Sequence, residues 1–290
     1  MQFDVVIANP PFQDSVNRNV TPHKLWIDFT VKTFEEWLID GGVLIQVSPS
    51  SFMSPSNKIL DLFKDRKVVD IQMGKEHYFP GVGSTFSYYT VYNIPNDGTP
   101  TKINDGIIYL NEDVFYLPND FCEESFSIHR KVMFNSEEKL SVEHDYVTCH
   151  NILIHNSNTL SKTETEKHIY PVFHSNRQIW YTSIKQSFLE SKKVMWTRSG
   201  YTKPFYDKGT MGVTDLAYFV RVDTDEEGEA LEHNINSKLF QYIFKTAKWS
   251  GFGNDKVFGA LPILPKYTKL SDEDMFLHFG INGKEQCYIK

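Results

Sequence analysis

The segment FDVVIANPPF, residues 3–12, constrains the fold more than any other part of the sequence. Its first six residues are apolar except for Asp4 and include several β-branched side chains, which is typical of a strand buried on both faces of a parallel sheet. Two prolines follow, and each fixes the backbone and removes an N–H donor. The segment therefore predicts a buried strand that ends in a rigid turn whose carbonyl groups need partners from elsewhere.

Strand and helix patterns alternate along the next eighty residues. Apolar side chains recur at helical spacing up to Gly41-Gly42, which we interpret as the end of the first helix. Three further strands are predicted, in VLIQVS (43–48), VVDIQ (68–72) and STFSYYTVYN (84–93). One further helix is predicted over residues 57–67. Such an order indicates an α/β fold with a parallel sheet and right-handed crossovers.

The segment IPNDGTPTKINDG, residues 94–106, predicts a domain boundary because it contains two prolines and two glycines among Asn and Asp residues. Short β-like segments separated by polar loops follow it. The last segment begins with Ser271 and has Asp274 three residues later, an N-cap arrangement for a closing helix. We expect a first domain over 1–98, a second α+β domain over 99–265 and a helical tail over 266–290.

The net charge of −7 disfavours a nucleic-acid partner, but the charges are unevenly distributed. Residues 151–210 contain nine Lys or Arg against four Asp or Glu, interleaved with aromatic residues. Because salt screens charges beyond about 8–10 Å, a local basic surface can bind phosphates within an acidic chain. A solvated charged surface is the alternative interpretation.

The turn residues Asn9, Pro10, Pro11 and Phe12 have a specific chemical capacity. A side-chain amide oxygen and rigidly held carbonyl oxygens are acceptors in fixed positions, and Phe12 adds a flat apolar ring. This combination suits a planar heterocycle with an exocyclic NH₂ group, such as adenine. Hydrogen bonds from the N6 hydrogens to two oxygens would favour a tetrahedral nitrogen with its lone pair free to attack a methyl group.

FDVVIANPPF resembles the catalytic signature of amino-group DNA methyltransferases, in which Asp, Asn or Ser, two prolines and an aromatic residue follow a buried strand. The resemblance is greatest to the adenine-N6 methyltransferases of type II restriction–modification systems and covers about residues 3–93. It continues through two more segments, LWIDFTVKTFEEWLIDGGVLIQVSPSSFM and YFPGVGSTFSYYTVYN, and more weakly to ALPILP. It implies the C-terminal half of a doubly wound, Rossmann-like methyltransferase sheet, followed by an α+β target-recognition domain.

The resemblance also implies roles for particular residues. Asn9 and the Pro10 carbonyl accept hydrogen bonds from N6, and Phe12 stacks on a base swung out of duplex DNA. Phe86 is our candidate for the opposite face of that base, with Tyr88 as the second candidate; a core aromatic is the alternative for Phe86. The implied activity is that of an adenine-specific, site-specific DNA methyltransferase (EC 2.1.1.72) in a restriction–modification or phage modification system.

S-adenosyl-L-methionine, the cofactor that the resemblance implies, is held in this family by a strand–Gly-rich loop–helix unit that precedes the catalytic turn. We find no room for that unit before residue 3, so we expect most cofactor-binding residues outside this chain. FPGVGS, residues 79–84, has the glycine pattern of such a loop and would fit a circularly permuted enzyme, but a strand pattern follows it instead of a helix. We therefore expect either part of a split enzyme, with a second polypeptide that carries the cofactor half, or a truncated or inactive remnant.

For the second domain we predict DNA contacts by basic residues placed among aromatic ones, namely Arg177, Lys192, Lys193, Arg198 and Lys203. Double-stranded DNA is thus the expected partner. The competing hypothesis is a non-catalytic DNA-binding specificity module.

No metal site is expected, because the cluster of His144, Cys149, His150 and His155 fits no common zinc spacing. Three widely spaced cysteines form no disulfide framework, and no apolar run is long enough to cross a bilayer. We therefore expect a cytoplasmic protein of a bacterial cell or a phage-infected host, without a membrane partner.

Overall fold

A computed structural model describes residues 2–13, 24–79, 81, 84–149, 159–175, 178–199, 203–249 and 255–289. The chain divides into two compact units. Unit 1 comprises Met1–His129 and Thr246–Gly251, and unit 2 comprises Arg130–Lys245 and Phe252–Lys290. In the described residues, no helix combines the length and the apolar character that crossing a bilayer requires.

Unit 1 contains a six-stranded mixed sheet with the strand order β1-β2-β4-β3-β5-β6. Its strands are β1 (Phe3–Ala8), β2 (Leu38–Pro49), β3 (Arg66–Gln72), β4 (Phe86–Pro95), β5 (Thr101–Ile103) and β6 (Gly106–Ile108). Its helices are α1 (Leu25–Lys32), which continues as a π-helical turn over Thr33–Trp37, α2 (Lys58–Lys64) and α3 (Glu123–His129). Short 3₁₀ turns lie at Ser50–Met53 and Glu76–Tyr78.

The sheet of unit 1 is mixed, whereas the sequence predicted a parallel one. β1 pairs with β2 in parallel, but β4 lies between β2 and β3 and is antiparallel to both. The local pattern predicted the four strands but not the direction of β4, because direction depends on pairing between residues distant in sequence. The first helix also ends earlier than predicted, since β2 already begins at Leu38 and includes Gly41-Gly42.

The boundary predicted after residue 98 lies inside unit 1. β5 pairs in parallel with β3, and β6 pairs with β5, so residues beyond 98 continue the same sheet. α3 and the segment Thr246–Gly251 also belong to this unit. The Pro- and Gly-rich segment is therefore a connection within one sheet, which its composition alone does not distinguish from a linker.

The two faces of this sheet differ in what covers them. Side chains on one face, which we call the helix face, are buried: Leu44, Gln46, Ser48, Val68, Ile71, Tyr89 and Val91. α1 and α2 cover it, since Thr30 lies 3.4 Å from the Tyr89 hydroxyl and the Phe63 ring lies 4.7 Å from the Tyr89 ring. Gln46 Nε2 donates to Thr30 Oγ1 at 2.7 Å and to the Tyr89 hydroxyl at 2.8 Å, so buried polar groups here satisfy one another.

The opposite face, which we call the open face, is accessible at the end formed by β1 and β2. Register places Val5 beside Val43 and Ile7 beside Ile45 on this face, and the row continues onto Tyr92 and Tyr88 of β4. Val5 is 50% and Ile7 is 77% exposed. Towards β3 the open face becomes polar, with Lys67, Asp70 and Gln72. The described helices of unit 1 thus leave the apolar end of the open face (Val5, Ile7, Val43, Ile45 and Val47) accessible.

Unit 2 contains two four-stranded sheets, with the orders β13-β9-β10-β8 and β12-β11-β14-β7. Their strands are β7 (Glu143–His144), β8 (Leu160–Ser161), β9 (Tyr170–Ser175), β10 (Gln178–Thr182), β11 (Lys193–Thr197), β12 (Phe205–Asp207), β13 (Gly212–Val213) and β14 (Ala217–Arg221). The helices of this part of the chain are α4 (Asp225–Ile235), α5 (Lys238–Thr246), α6 (Asp255–Phe258), α7 (Asp272–His278) and α8 (Gly283–Gln286), and a π-helical turn covers Arg130–Phe134.

A buried apolar cluster is shared by the two sheets of unit 2, comprising Phe173, Phe188, Met195, Val213, Ala217 and Phe219. Gln186 links segments beside it, because its Nε2 donates to Asp145 Oδ2 at 2.7 Å and its Oε1 accepts from the Val213 N–H at 2.9 Å. At the C-terminal end, Ser271 caps α7 by accepting from the Asp274 N–H, as its position in the sequence predicted.

Candidate functional site

The turn after β1 lies at the carboxyl end of two parallel strands. β1 ends at Ala8 and β2 at Pro49, and β4 begins opposite Pro49 with Phe86. Asn9 is exposed at this end of the sheet, whereas Pro10 is buried. An exposed amide that directly precedes a buried proline can reach a ligand with little loss of conformational entropy, because the adjoining backbone is already held.

Two loops are fastened to the start of β4 beside this turn. The Ser50 N–H donates to the Thr85 carbonyl at 2.9 Å, and the Ser50 and Ser87 hydroxyls lie 2.7 Å apart. The Lys75 N–H donates to the Phe86 carbonyl at 3.0 Å. The loop after β2 and the loop after β3 therefore keep fixed positions around the strand ends.

Three phenylalanine rings form a cluster that includes Phe12, the last aromatic residue of the turn after β1. The Phe12 ring centroid lies 5.0 Å from that of Phe86 and 6.0 Å from that of Phe79. Phe79 and Phe86 are stacked, with centroids 4.2 Å apart. Phe12 and Phe79 are partly exposed, but Phe86 is only 1% exposed.

The burial of Phe86 corrects its predicted role as a stacking surface. Its ring is covered by Phe12 and Phe79, so no face remains for a ligand in this arrangement. Sequence reasoning chose the aromatic residue inside the strand pattern and overlooked Phe79, which precedes the turn leading into that strand. The signal for Phe79 was its place beside a glycine-rich turn, where a side chain is more exposed than within a strand.

Tyr88, the second stacking candidate, is 37% exposed on the open face. The Lys75 ammonium lies 5.7 Å from the centre of its ring, close enough for a cation–π contact. Phe86 and Tyr88 are two residues apart on β4 and share a face, so the aromatic cluster stands where the open face meets the carboxyl ends of the strands.

The described residues form no cradle that fits S-adenosyl-L-methionine. The glycine-rich segment 79–84 leads into β4, whereas a phosphate- or cofactor-binding loop of this type opens a helix whose N–H groups face the ligand. Gly81, with a φ of +82°, is the described glycine of that segment. The described part of unit 1 thus places an exposed amide and partly exposed aromatic rings at the strand ends, and the glycine-rich segment there does not open a helix.

The predicted DNA-contact residues of unit 2 have different surroundings. Lys203 is exposed. Lys192 is partly exposed and forms a 2.6 Å ion pair with Asp225. Arg198 is partly exposed, with its guanidinium 5.9 Å from the centre of the Tyr146 ring. Arg177 lies outside the described residues.

Lys193 is not available to DNA, and its predicted role is wrong. Its side chain is completely buried, and its ammonium lies 2.9 Å from Asp207 Oδ2. The same ammonium donates to the carbonyls of Phe188, Leu189 and Ser191 at 3.3, 3.1 and 2.8 Å. Burial lowers the pKa of Lys193, against which the hydrogen bond and charge of Asp207 act. Lys193 therefore closes a polar network inside unit 2.

The cysteine and histidine cluster of the sequence is only partly described. Cys149 is buried in an apolar cluster, and burial raises its thiol pKa to about 11. The His144 ring packs 3.8 Å from the Tyr146 ring, while His150 and His155 lie outside the described residues. Within the described ranges, no group of three metal-ligating side chains is assembled.

No protein-family profile and no curated protein matches the sequence. The chain is similar to solved structures of restriction–modification proteins. One is the type IIL restriction–modification enzyme MmeI in complex with DNA, with 9% sequence identity and a TM-score of 0.42; the match covers 98% of this chain and 56% of MmeI. Another is the type IIG restriction endonuclease BpuSI, with 10% identity and a TM-score of 0.32; the match covers 96% of this chain and 49% of BpuSI. The M protein of the type I restriction enzyme EcoKI (EC 2.1.1.72) is also similar, with 20% sequence identity and a TM-score of 0.26; the match covers 31% of this chain and 21% of the M protein. The chain thus spans about half or less of the length of these structures.

Proposed function

We propose that this chain is the target-base half of a site-specific DNA methyltransferase that acts on N6 of adenine. The observation that carries the proposal is the position of Asn9. It is exposed at the carboxyl end of β1, three residues before Phe12, whose partly exposed ring lies 6.0 Å from the partly exposed ring of Phe79. An amide acceptor next to flat apolar surfaces is complementary to the amino edge and the faces of a purine.

The chemistry assigned to this chain is orientation of the amine. A flipped adenine enters beside Phe12 and Phe79, and its N6 hydrogens donate to the Asn9 side-chain oxygen and the Pro10 carbonyl. Both bonds strengthen as N6 becomes tetrahedral, so they stabilise the transition state more than the bound base. S-adenosyl-L-methionine supplies the methyl group in such a reaction, and in our proposal it is held by residues outside this chain.

In this proposal, unit 2 is the region that binds the duplex and reads its sequence. Lys203, which is exposed, and Arg198 and Lys192, which are partly exposed, contact phosphates, and Lys192 exchanges its ion pair with Asp225 for a phosphate. Binding by unit 2 positions the duplex, and unit 1 holds the extruded base. In this proposal, residues outside the given sequence hold the methyl donor and complete the enzyme, and a restriction–modification or phage modification system is the setting.

The proposal is tested by methyl transfer from labelled S-adenosyl-L-methionine to duplex DNA, with the label located by nucleoside analysis. The assay is run with this chain alone and together with the polypeptide encoded immediately upstream. We expect labelled N6-methyladenine, and a loss of about 100- to 1,000-fold in Asn9→Ala, as for removal of one group that stabilises developing charge. Asn111→Ala, which changes another exposed asparagine of unit 1, is the matched control.

Two results would contradict the proposal. One is transfer that persists unchanged in Asn9→Ala, and the other is label on cytosine. DNA binding without any transfer, in the presence of the upstream polypeptide, would instead support the non-catalytic specificity module.

A further inference from the structure

A cavity of about 460 Å³ has described lining residues that all belong to unit 2. Its volume falls in the range of roughly 300–1,000 Å³ that small-molecule sites occupy. Five of its side chains are apolar, and two of those are aromatic: Phe173, Ile179, Pro204, Phe205 and Met211. The cavity is therefore suited to a ligand that carries a flat, largely apolar ring.

The walls of this cavity are fastened to one another. Asn236, directly after α4, donates from its Nδ2 to the Pro204 carbonyl at 2.7 Å and to the Glu232 carbonyl at 2.8 Å, which ties the end of α4 to the segment leading into β12. Phe205 packs edge-on against the buried Phe173, with ring centroids 5.0 Å apart, and Phe205 itself is partly exposed. A ligand therefore meets a lining that is already ordered, so its binding does not have to order these walls.

Two oppositely charged side chains complete the lining of this cavity. Lys203 is exposed and Glu232 is partly exposed. In the part of the chain that the structure describes, neither of them forms an ion pair. The cavity thus presents one cation and one anion beside an apolar surface, which is complementary to a ring compound with an anionic group and with N–H donors.

The neighbouring cavity differs in this respect. It has a volume of about 750 Å³ and shares Glu232 with the smaller cavity. The other described carboxylates and ammonium groups of its lining form two ion pairs, Lys269 with Glu229 at 3.0 Å and Lys238 with Asp272 at 3.6 Å. Charge is therefore available to a ligand at the smaller cavity, whereas a ligand in the larger one would have to break existing pairs.

The carboxylate of Glu232 selects among ring compounds. An ionised carboxylate only accepts hydrogen bonds, and its two oxygens match two parallel N–H donors. Guanine presents such a pair, N1–H and N2–H₂. Adenine and cytosine place a ring-nitrogen acceptor beside their amino group, and thymine has one N–H between two carbonyls, so each of these bases would set an acceptor against the carboxylate. The ammonium group of Lys203 in turn matches a phosphate.

We propose that this cavity binds a guanine nucleotide. Glu232 accepts from N1–H and N2–H₂, the base lies against Phe205, and Lys203 contacts the 5′-phosphate. Binding requires neither a methyl donor nor Asn9, so the inference goes beyond the proposed function. The nucleotide is either free or part of a DNA strand, because both present the same base edge and a phosphate.

The test is titration calorimetry of the full chain with dGMP, with dIMP, which lacks the N2 amino group, and with TMP. We expect saturable, one-to-one binding of dGMP and binding of dIMP that is about 10- to 100-fold weaker, the effect of losing one hydrogen bond to a charged group. Glu232→Gln should weaken dGMP binding by a similar factor. Glu226→Gln is the matched control, because Glu226 is an exposed glutamate of the same helix and lines neither cavity.

Ratios of affinities keep the result independent of any folding defect, which would weaken all ligands alike. Glu232→Gln should reduce the preference for dGMP over dIMP. Lys203→Ala should reduce the preference for dGMP over deoxyguanosine, which lacks the phosphate, by about 2- to 5-fold, as for an exposed ion pair. The inference is overturned by absence of saturable dGMP binding, by equal affinity for dGMP and TMP or for dGMP and dIMP, or by dGMP affinity that Glu232→Gln leaves unchanged.

A competition experiment identifies the source of the nucleotide. A single-stranded oligonucleotide with one guanine that displaces dGMP, and fails to do so when that guanine is replaced by inosine, supports a nucleotide of a DNA strand in the cavity. An oligonucleotide that displaces no dGMP supports a free nucleotide. Methyl transfer that fails while dGMP still binds contradicts the proposed function alone, and intact methyl transfer without dGMP binding contradicts this inference alone.

Discussion

Asn9 in unit 1 and Lys193 in unit 2 are both polar residues at strand ends, and their surroundings are opposite. Asn9 follows β1 and is exposed, whereas Lys193 begins β11 and is completely buried beside Asp207. The difference lies in what surrounds the strand ends. Asn9 is exposed at the carboxyl end of β1. The start of β11 lies between β12 and β14, and the backbone register places Lys193 opposite Asp207 on one side and Arg221 on the other.

Residue type therefore predicts whether a polar side chain can reach a ligand only where the position of its backbone in the sheet is known. A polar residue directly before a diproline turn at the end of a strand leaves the sheet, so its side chain is available to a ligand. A basic residue within a β-like segment has two possible directions, and a shift of one residue reverses them. Residues 192 and 193 illustrate this, since Lys192 is partly exposed and its neighbour is buried.

The largest effect on stability is expected from Lys193→Met. The substitution leaves Asp207 without its ammonium partner and three carbonyls without a donor, so we expect a loss of about 3–5 kcal/mol in the free energy of unfolding. Urea denaturation followed by circular dichroism measures it. Lys203→Met is the control, because Lys203 is exposed and its removal should change stability by less than about 0.5 kcal/mol. Equal stability of the two variants would refute the structural role of Lys193.

Two substitutions in the aromatic cluster test which phenylalanine belongs to the core of unit 1 and which contacts the target base. Phe86→Ala should destabilise the fold by about 3–5 kcal/mol, because it removes a buried ring. Phe79→Ala should leave most of the stability but reduce methyl transfer about 10- to 100-fold, the effect of about 1–3 kcal/mol of stacking. Thermal denaturation and initial rates measure the two quantities. Reversed results would return the base-stacking role to Phe86.

A pH-dependent effect is expected from His129 in unit 1. Burial lowers its pKa to about 3, and its Nδ1 lies 2.7 Å from the Tyr116 hydroxyl while its Nε2 lies 2.8 Å from Thr246 Oγ1. Between pH 6.5 and 3 the unfolded chain binds a proton at this site and the folded chain does not, so acidification favours unfolding.

The measurement compares wild type with His129→Gln. Both are unfolded in urea at pH 7 and at pH 5, and we expect the variant to lose less stability than wild type over that interval. Carboxylate groups contribute the same slope to both proteins, so the difference between the two slopes belongs to His129. Identical slopes would contradict a neutral, buried histidine.

The smallest effects are expected on DNA binding by unit 2. Lys203→Ala and Arg198→Ala should each lower the dependence of log affinity on log salt by about 1, the change for one lost phosphate contact. Fluorescence anisotropy with a labelled duplex at several salt concentrations measures this slope. Lys284→Ala is the control, because Lys284 is exposed on α8, outside the basic segment 151–210. A slope that changes only in the control would place the DNA elsewhere on unit 2.

Much of unit 1 could be predicted from local patterns. The strand at residues 3–8, the turn after it and the strands near residues 43–48, 68–72 and 86–93 all follow from composition and periodicity, which depend on neighbouring residues. The position of Asn9 followed as well, since a diproline sequence must leave a sheet. The burial predicted for this strand was wrong, because β1 is the edge strand of the sheet and its apolar side chains Phe3, Val5 and Ile7 are exposed.

The tertiary structure alone decided the features that depend on distant residues. These are the antiparallel insertion of β4, the continuation of the sheet through β5 and β6, the burial of Phe86 beneath Phe79 and the inward direction of Lys193. Each depends on strand register or on a ring brought from another loop, and register is set by the summed packing of a whole face. A local pattern records what a residue prefers, but the packed fold determines which neighbour it has.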